Sequence, residues 1–154
     1  MHSFRTTRRV AHSAADMFDL VADVKRYPEF VPLCERIVMS ERQERGEGIT
    51  VLVSAMTVAY KVFRETFTTR VTLERPRLEI LVEYLDGPFH SLENRWSFKP
   101  LGERMSEVEF YIAYEFRSRM LGLAMGAVFE AAFRKFAEAF ERRADAVYGR
   151  VSGG

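Results

Sequence analysis

From residue 35 to residue 116 the chain alternates apolar and polar side chains with a period of two, in six runs separated by turn residues. The first run, "ERIVMSERQ", ends at "ERGEG", whose glycines can adopt positive φ. Ile49, Val51, Val53 and Ala55 then alternate with Thr50, Leu52 and Ser54. Phe63, Phe67, Val71 and Leu73 share one parity. After "RPR", Leu78, Ile80, Val82 and Tyr84 share another, opposite Glu79 and Glu83. Beyond "DGP", Leu92, Asn94, Trp96 and Phe98 face away from Glu93, Arg95 and Lys99. The last run is the clearest, with Val108, Phe110, Ile112, Tyr114 and Phe116 set against Glu107, Glu109 and Glu115. Consecutive strands joined by short turns predict an antiparallel meander with one dry face and one wet face. Phe4, Thr6, Arg8 and Val10 also alternate, so the Arg-rich, acid-free start reads as a further strand rather than as an organelle transit peptide.

Two segments carry the helical period instead. In "HSAADMFDLVADV", Ser13 is a good N-cap, Asp16 follows three residues later, and Phe18, Val21 and Ala22 supply an apolar face. In 118–149, Met125, Phe129, Phe133, Phe136, Phe140, Ala144 and Val147 form one stripe, and charged residues fill the rest. Ser118 caps its start, and Gly149 stands where a helix-ending glycine belongs. About 30 helical residues make a rod of about 45 Å.

The predicted order is strand, short helix, six strands, long helix: an α+β chain with one domain over 1–149 and a disordered tail at 150–154. A sheet of about seven antiparallel strands curls, because twist accumulates strand by strand, and the long helix covers its concave face. A curled sheet and a straight rod cannot touch along their whole length, so a gap is expected between them. The later half of the helix carries the phenylalanines. The earlier half, "MLGLAMGAV", is small and flexible, and the gap is expected there. Gly122 and Gly126 fit either close helix-to-sheet approach or room for a ligand.

One connection does not look like a loop. "VKRYPEFVPLCERI" (24–37) holds two prolines, two aromatics and the sole cysteine, where a short polar link would suffice. Either Cys34 is reactive or the loop closes over something apolar. The histidines are His2, His12 and His90, and no His, Asp or Cys stands at a nucleophile or metal-ligand spacing from Cys34. Cys34 therefore reads as a small buried hydrophobe, and the loop as an apolar rim. Phe89 in "DGPFHSL" is either pocket rim or ordinary core, and His90 either a solvated loop residue or a donor to a ligand carbonyl.

Composition narrows the function. A net charge of +1 gives no field for holding nucleic acid. A single cysteine excludes a disulfide framework and points to a reducing compartment. The longest uncharged run in the strand region, 48–60, is too short to span a bilayer. A cytoplasmic protein is expected, with transient contact at the inner-membrane surface through a rim of Phe30, Val31, Leu33 and Phe89. Thirteen Phe, six Tyr and one Trp suit a cavity with flat walls as well as a core. The inward parities carry Tyr84, Asn94, Trp96 and Tyr114, with Glu65 as a further candidate, but no evident acid–base pair. That suits a neutral ligand with one or two carbonyls.

With "YPEFVPLC" after the first helix, "LDGPFHSLENRWSF" in the sheet and "YEFRSRML" entering the long helix, the chain resembles the coenzyme Q-binding START-domain family of the START-like superfamily, over residues 3 to 148. The same family contains the bacterial ribosome-association toxin proteins. The resemblance carries at Tyr27, Pro28, Phe30, Pro32 and Cys34, and at Gly87, Pro88, Phe89, Leu92, Trp96 and Phe98. Leu33 stands where the family pattern has tryptophan, which leaves a wider opening or a different ligand fit. The resemblance implies a helix-grip fold and a hydrophobic pocket for ubiquinone or a polyprenyl quinone precursor. The quinone would be held as a ligand in support of respiration, with no catalytic residue, metal or other cofactor. Two alternatives stand beside it: a ribosome-binding protein that hinders subunit association, and an enzyme resembling polyketide cyclases. Expected ligand contacts are Phe30, Val31, Pro32 and Leu33 in the loop; Phe67, Tyr84, Phe89, Leu92 and Trp96 in the sheet; Phe110, Tyr114 and Phe116 in its last strand; and Leu121, Met125 and Phe129 on the helix.

Overall fold

A computed structural model of the protein describes residues 1–149, so the tail expected to be disordered at 150–154 lies outside the described residues. The period-two segments form seven strands: β1 (His2–Val10), β2 (Cys34–Glu44), β3 (Ile49–Tyr60), β4 (Phe63–Glu74), β5 (Glu79–Asp86), β6 (Phe89–Gly102) and β7 (Met105–Phe116). They lie in one antiparallel sheet in the order β1-β7-β6-β5-β4-β3-β2, so the chain meanders from β2 to β7 and β1 closes the far edge. Helix α1 (Ala14–Ala22) starts at Ser13, whose Oγ accepts the Asp16 amide at 3.1 Å. A 3-10 segment, Val24–Glu29, follows. Helix α2 (Arg119–Tyr148) starts at Ser118, whose Oγ accepts the Leu121 amide at 3.2 Å, and stops at Gly149 with φ +83°.

Register decides which parity of each strand faces α2. On β3 the inner set is Thr50, Leu52, Ser54 and Val58, while the more strongly β-branched Val51 and Val53 stay half-buried outside. Leu52 pairs with Val71 and Met56 with Phe67, and β4 must turn Phe67, Val71 and Leu73 inward. The outer face carries charged pairs such as Arg5 with Glu109 and Arg95 with Glu93. These are exposed and contribute little to stability. At the other end of α2, His12 Nε2 lies 2.7 Å from Asp145 Oδ1, and the buried ring fastens the end of β1 to the helix.

Helix and sheet meet through size complementarity that changes along the rod. Opposite the small early half of α2 the strands supply the bulk. Phe89 is 0% exposed, and its ring lies 5.1–6.1 Å from those of Phe67, Tyr84, Tyr114, Phe116 and Phe129. Phe63 adds its edge to Phe129. A Cβ on Gly122 would stand 3.5 Å from the Phe116 ring, an ordinary contact, and Gly126 faces open space, so neither glycine is required by close approach to the sheet. The gap expected at this end is therefore absent, because aromatic rings from four strands fill it. The turn that delivers Phe89 is equally tight: Gly87 has φ +142°, and a Cβ there would fall 2.6 Å from Phe67 Cβ.

Phe89→Ala is expected to cost about 3–5 kcal/mol of unfolding free energy, and Gly87→Ala about 2–3 kcal/mol from strain and overlap with Phe67. Urea denaturation followed by circular dichroism measures both, and a loss below 1 kcal/mol (about the scale of an ordinary surface change) would show that the aromatic cluster is not the anchor described.

Candidate functional site

The open space lies under the other half of the sheet. The backbone of α2 runs close to β7, β1 and α1, and stands off from β3, β4 and β5. Between them is an apolar cavity of about 70 Å³. Its floor is a row of short side chains that register sets side by side: Val71 on β4, Val82 on β5, Asn94 on β6 and Ile112 on β7. Ser54 and Thr69, paired across β3 and β4, continue the floor. Its roof is the middle of α2, with Phe129, Ala132, Phe133, Phe136 and Phe140. Large helix residues thus face small strand residues, and the helix cannot approach further without its own rings colliding with the floor.

The loop that looked too apolar closes one end. Val24, Tyr27, Pro32 and Leu33 line the cavity, and Val31 is buried beside them. Tyr27 and Phe30 meet Phe140 edge-on at 5.3 and 4.9 Å, and the Arg143 guanidinium covers the Phe30 ring at 5.1 Å. Arg143 also reaches Glu29 at 2.6 Å, so the loop is tied to α2 by rings and by charge. The Leu33 carbonyl accepts the Ala59 amide at 3.0 Å, and Leu33 itself has φ +67°. A leucine in the left-handed region is strained. It sits where the loop turns into β2, at the cavity wall.

The walls offer little for chemistry. Asn94 is occupied at both ends: its Nδ2 donates to the Tyr111 carbonyl at 2.8 Å and its Oδ1 accepts the Trp96 indole N–H at 3.1 Å. Tyr27 donates to the Val21 carbonyl, and burial pushes its phenol well above the ordinary range. The hydroxyls of Ser54 and Thr69 remain, with no hydrogen-bond partner among the described residues. Among the described residues, no carboxylate, histidine or lysine lines the space. Glu65 has the inward parity of β4 but lies outside it. Cys34 is buried at the start of β2, with its thiol pushed up to about 11 by desolvation. His90 is exposed.

Of the residues nominated from sequence, Pro32, Leu33, Phe67, Leu92, Trp96 and Phe129 line the cavity. Phe30 and Val31 brace the loop instead. Tyr84, Phe89, Tyr114 and Phe116 belong to the aromatic cluster beside the start of α2, where Tyr84 Oη accepts the Phe89 amide at 3.0 Å. Phe110 lies behind Trp96 at 4.8 Å. Leu121 is half-buried and Met125 buried along the first turns of α2. The apolar docking rim expected from Phe30, Val31, Leu33 and Phe89 is not formed, since Val31 is 5% and Phe89 0% exposed. The floor row escaped the sequence reading because each member is an ordinary strand residue. Only cross-strand register makes four short side chains adjacent.

Comparison with known proteins agrees with this architecture. A family described as "Polyketide cyclase / dehydrase and lipid transport" matches residues 10–141. The ribosome association toxin RatA of Vibrio cholerae is 39% identical over 140 residues, covering 91% of this chain and 93% of that protein. A mitochondrial coenzyme Q-binding protein, COQ10 of Drosophila melanogaster, is 33% identical over 113 residues, covering 71% of this chain and 44% of that protein. A START superfamily protein from Mycobacterium smegmatis superposes with a TM-score of 0.79 at 22% identity, over 96% of this chain and 99% of that one, which is a likeness of fold. With a seven-stranded curved sheet gripping a terminal helix around an apolar cavity, and the family pattern running from Val10 to Glu141, the chain belongs to the polyketide cyclase/dehydrase and lipid transport family, with the START-like helix-grip fold.

Proposed function

We propose that the protein is a non-enzymatic carrier that holds a hydrophobic ligand between α2 and the β3–β6 floor, and that the ligand is ubiquinone or a polyprenyl precursor of it. The observation that carries the reading is the character of the cavity: almost wholly apolar walls, two buried hydroxyls, and no carboxylate, histidine or lysine among the described residues that line it. Ser54 and Thr69 suit the carbonyls of a quinone head, and each isoprenoid CH₂ buried contributes about 0.8 kcal/mol. The lipid-transport description of the family and the name of the Drosophila relative point the same way.

The cavity is smaller than any quinone. A cavity of about 150 Å³ is needed to take up benzene, and this one has about half of that. Loading therefore requires α2 or the 30–33 loop to move outward. The strained turn at Leu33 and the standing-off of α2 from β3–β5 support this side as the one that opens. Ligand binding then exchanges ring-on-ring contacts for ring-on-ligand contacts, at the cost of the Tyr27–Phe140 and Phe30–Phe140 packing.

A second reading has its own support, because relatives named ribosome association toxins match nine-tenths or more of this chain. Such a protein would act through its surface. A cyclase-like enzyme has the family description behind it, but among the described residues the cavity wall carries no carboxylate, histidine or lysine for acid–base chemistry.

Trp96 is the chain's single tryptophan and forms part of the wall, so a bound quinone quenches its emission. Titration with a short-chain ubiquinone is expected to give saturable quenching, weakened about tenfold by Ala132→Phe, which sets a ring in the space, and about fivefold by Thr69→Val, which removes one hydroxyl. Wild-type protein that shows no saturable quenching, and no lipid by mass spectrometry after purification, would exclude the carrier reading. Overexpression followed by sucrose-gradient sedimentation is expected to leave the balance of free and joined ribosomal subunits unchanged; a shift toward free subunits would favour the second reading. Cys34, with its raised pKa, is expected to resist iodoacetamide at pH 8 (about the thiol's ordinary pKa) until the protein is unfolded, and rapid labelling of the folded protein would reopen a role for the thiol.

A further inference from the structure

Helix α2 is two helices in surface chemistry. From Glu130 onward its outer face carries Glu130, Arg134, Lys135, Glu138 and Arg142, as a water-facing helix should. From Met120 to Phe129 there is no charged or hydrogen-bonding side chain at all. Leu121 and Met125 turn toward the core, but Met120 and Leu123 are 79% and 83% exposed, and Ala124 and Ala127 complete the same bare face. Nothing in the fold requires these outward positions to be apolar.

Two turns bring more apolar surface to the same end. Phe63 packs its edge on Phe129, so the β3–β4 turn ends beside the early half of α2, and Val62 at its tip is fully exposed next to Tyr60. The Arg117 amide donates to the Pro88 carbonyl at 2.9 Å, which sets the β5–β6 turn and the exposed Leu85 beside the entry to α2. Cations border this surface: Lys61 in the turn, and Arg117 and Arg119 at the helix start, none of them in an ion pair among the described residues. The acids nearby are Asp86 and the half-buried Glu65, while Glu115 lies 3.9 Å from the N-terminal amine. Projecting apolar tips ringed by an excess of cations match the interface of a membrane with acidic headgroups: the tips enter the acyl boundary and the long basic side chains reach the phosphates. A second copy of the chain fits less well, because a stable dimer wants a broad complementary face of about 800 Å² per partner, and this surface is built from separate apices.

We propose that the start of α2, with the β3–β4 and β5–β6 turns, docks the protein on an anionic lipid bilayer through Met120, Leu123 and Val62. The proposal draws its partner from the carrier reading, but its measurement uses unloaded protein and so stands or falls separately. In vesicle flotation, the full-length protein is expected to rise with phosphatidylcholine–phosphatidylglycerol vesicles, and about tenfold less with phosphatidylcholine alone or in high salt. Met120→Asp with Leu123→Asp is expected to abolish flotation, and Arg117→Glu with Arg119→Glu to weaken it about tenfold, both with unchanged melting. Both variants should keep Trp96 quenching by a short-chain quinone. Absence of flotation with either vesicle would overturn the proposal, as would flotation that the Asp pair does not reduce. Concentration-dependent self-association in analytical ultracentrifugation, lost in the Asp pair and unaccompanied by flotation, would also overturn it and assign the surface to a contact between copies. Flotation that is lost in the variants would uphold it even if the wild-type cavity took no quinone.

Discussion

A straight helix of 30 residues lies against a sheet that curls away from it, and every other feature follows from how that mismatch is filled. At the start of the helix the strands carry the large rings and the helix the small residues, so the two surfaces close. In the middle the assignment reverses, with helix phenylalanines over Val71, Val82, Asn94 and Ser54. Two bulky surfaces would splay apart and two small ones would collapse. One surface of each kind packs with a residual void, because the rings set a minimum distance that short strand residues cannot reach.

That arrangement makes the void small and mostly apolar. The floor is held rigidly by ladder hydrogen bonds across β3 to β7, while the roof and the 24–33 loop are held mainly by ring contacts around Phe140 and by exposed charge pairs such as Arg143 with Glu29. Apolar contacts are non-directional, so the ring contacts of the roof can re-form on a ligand, whereas Tyr27 and Leu33 in the loop are also held by hydrogen bonds to the Val21 carbonyl and the Ala59 amide. A carrier needs a stiff half and a yielding half. The aromatic cluster around Phe89 serves as the fixed end of the helix, and it meets the cavity through Phe67 and Phe129.

Much of the fold was legible beforehand because each strand and helix is dictated by neighbours in the chain. Alternation marked all seven strands, and Ser13, Ser118 and Gly149 marked helix ends through groups only a few residues apart. The apolar loop was also readable as a closure, since Tyr27, Pro32 and Leu33 had no other reason to be there. The location of the void was misread for a definite reason. Small residues on the helix looked like missing volume, but volume is a property of two facing surfaces, and Phe63, Phe67, Phe89 and Phe116 come from strands far away in sequence.

Local periodicity, capping and turn chemistry therefore determined, from sequence alone, the elements, their order, the antiparallel sheet and the apolar nature of the interior. The tertiary structure alone decided which side chains meet across that interior: that Phe89 is core and not rim, that Val71, Val82, Asn94 and Ile112 form one floor, and that Met120, Leu123 and Val62 are left outside together. The reason is that alternation along a strand sets only which face a residue occupies. Cross-strand register and the seat of the helix set its neighbours, and both are fixed by contacts between residues remote in the chain.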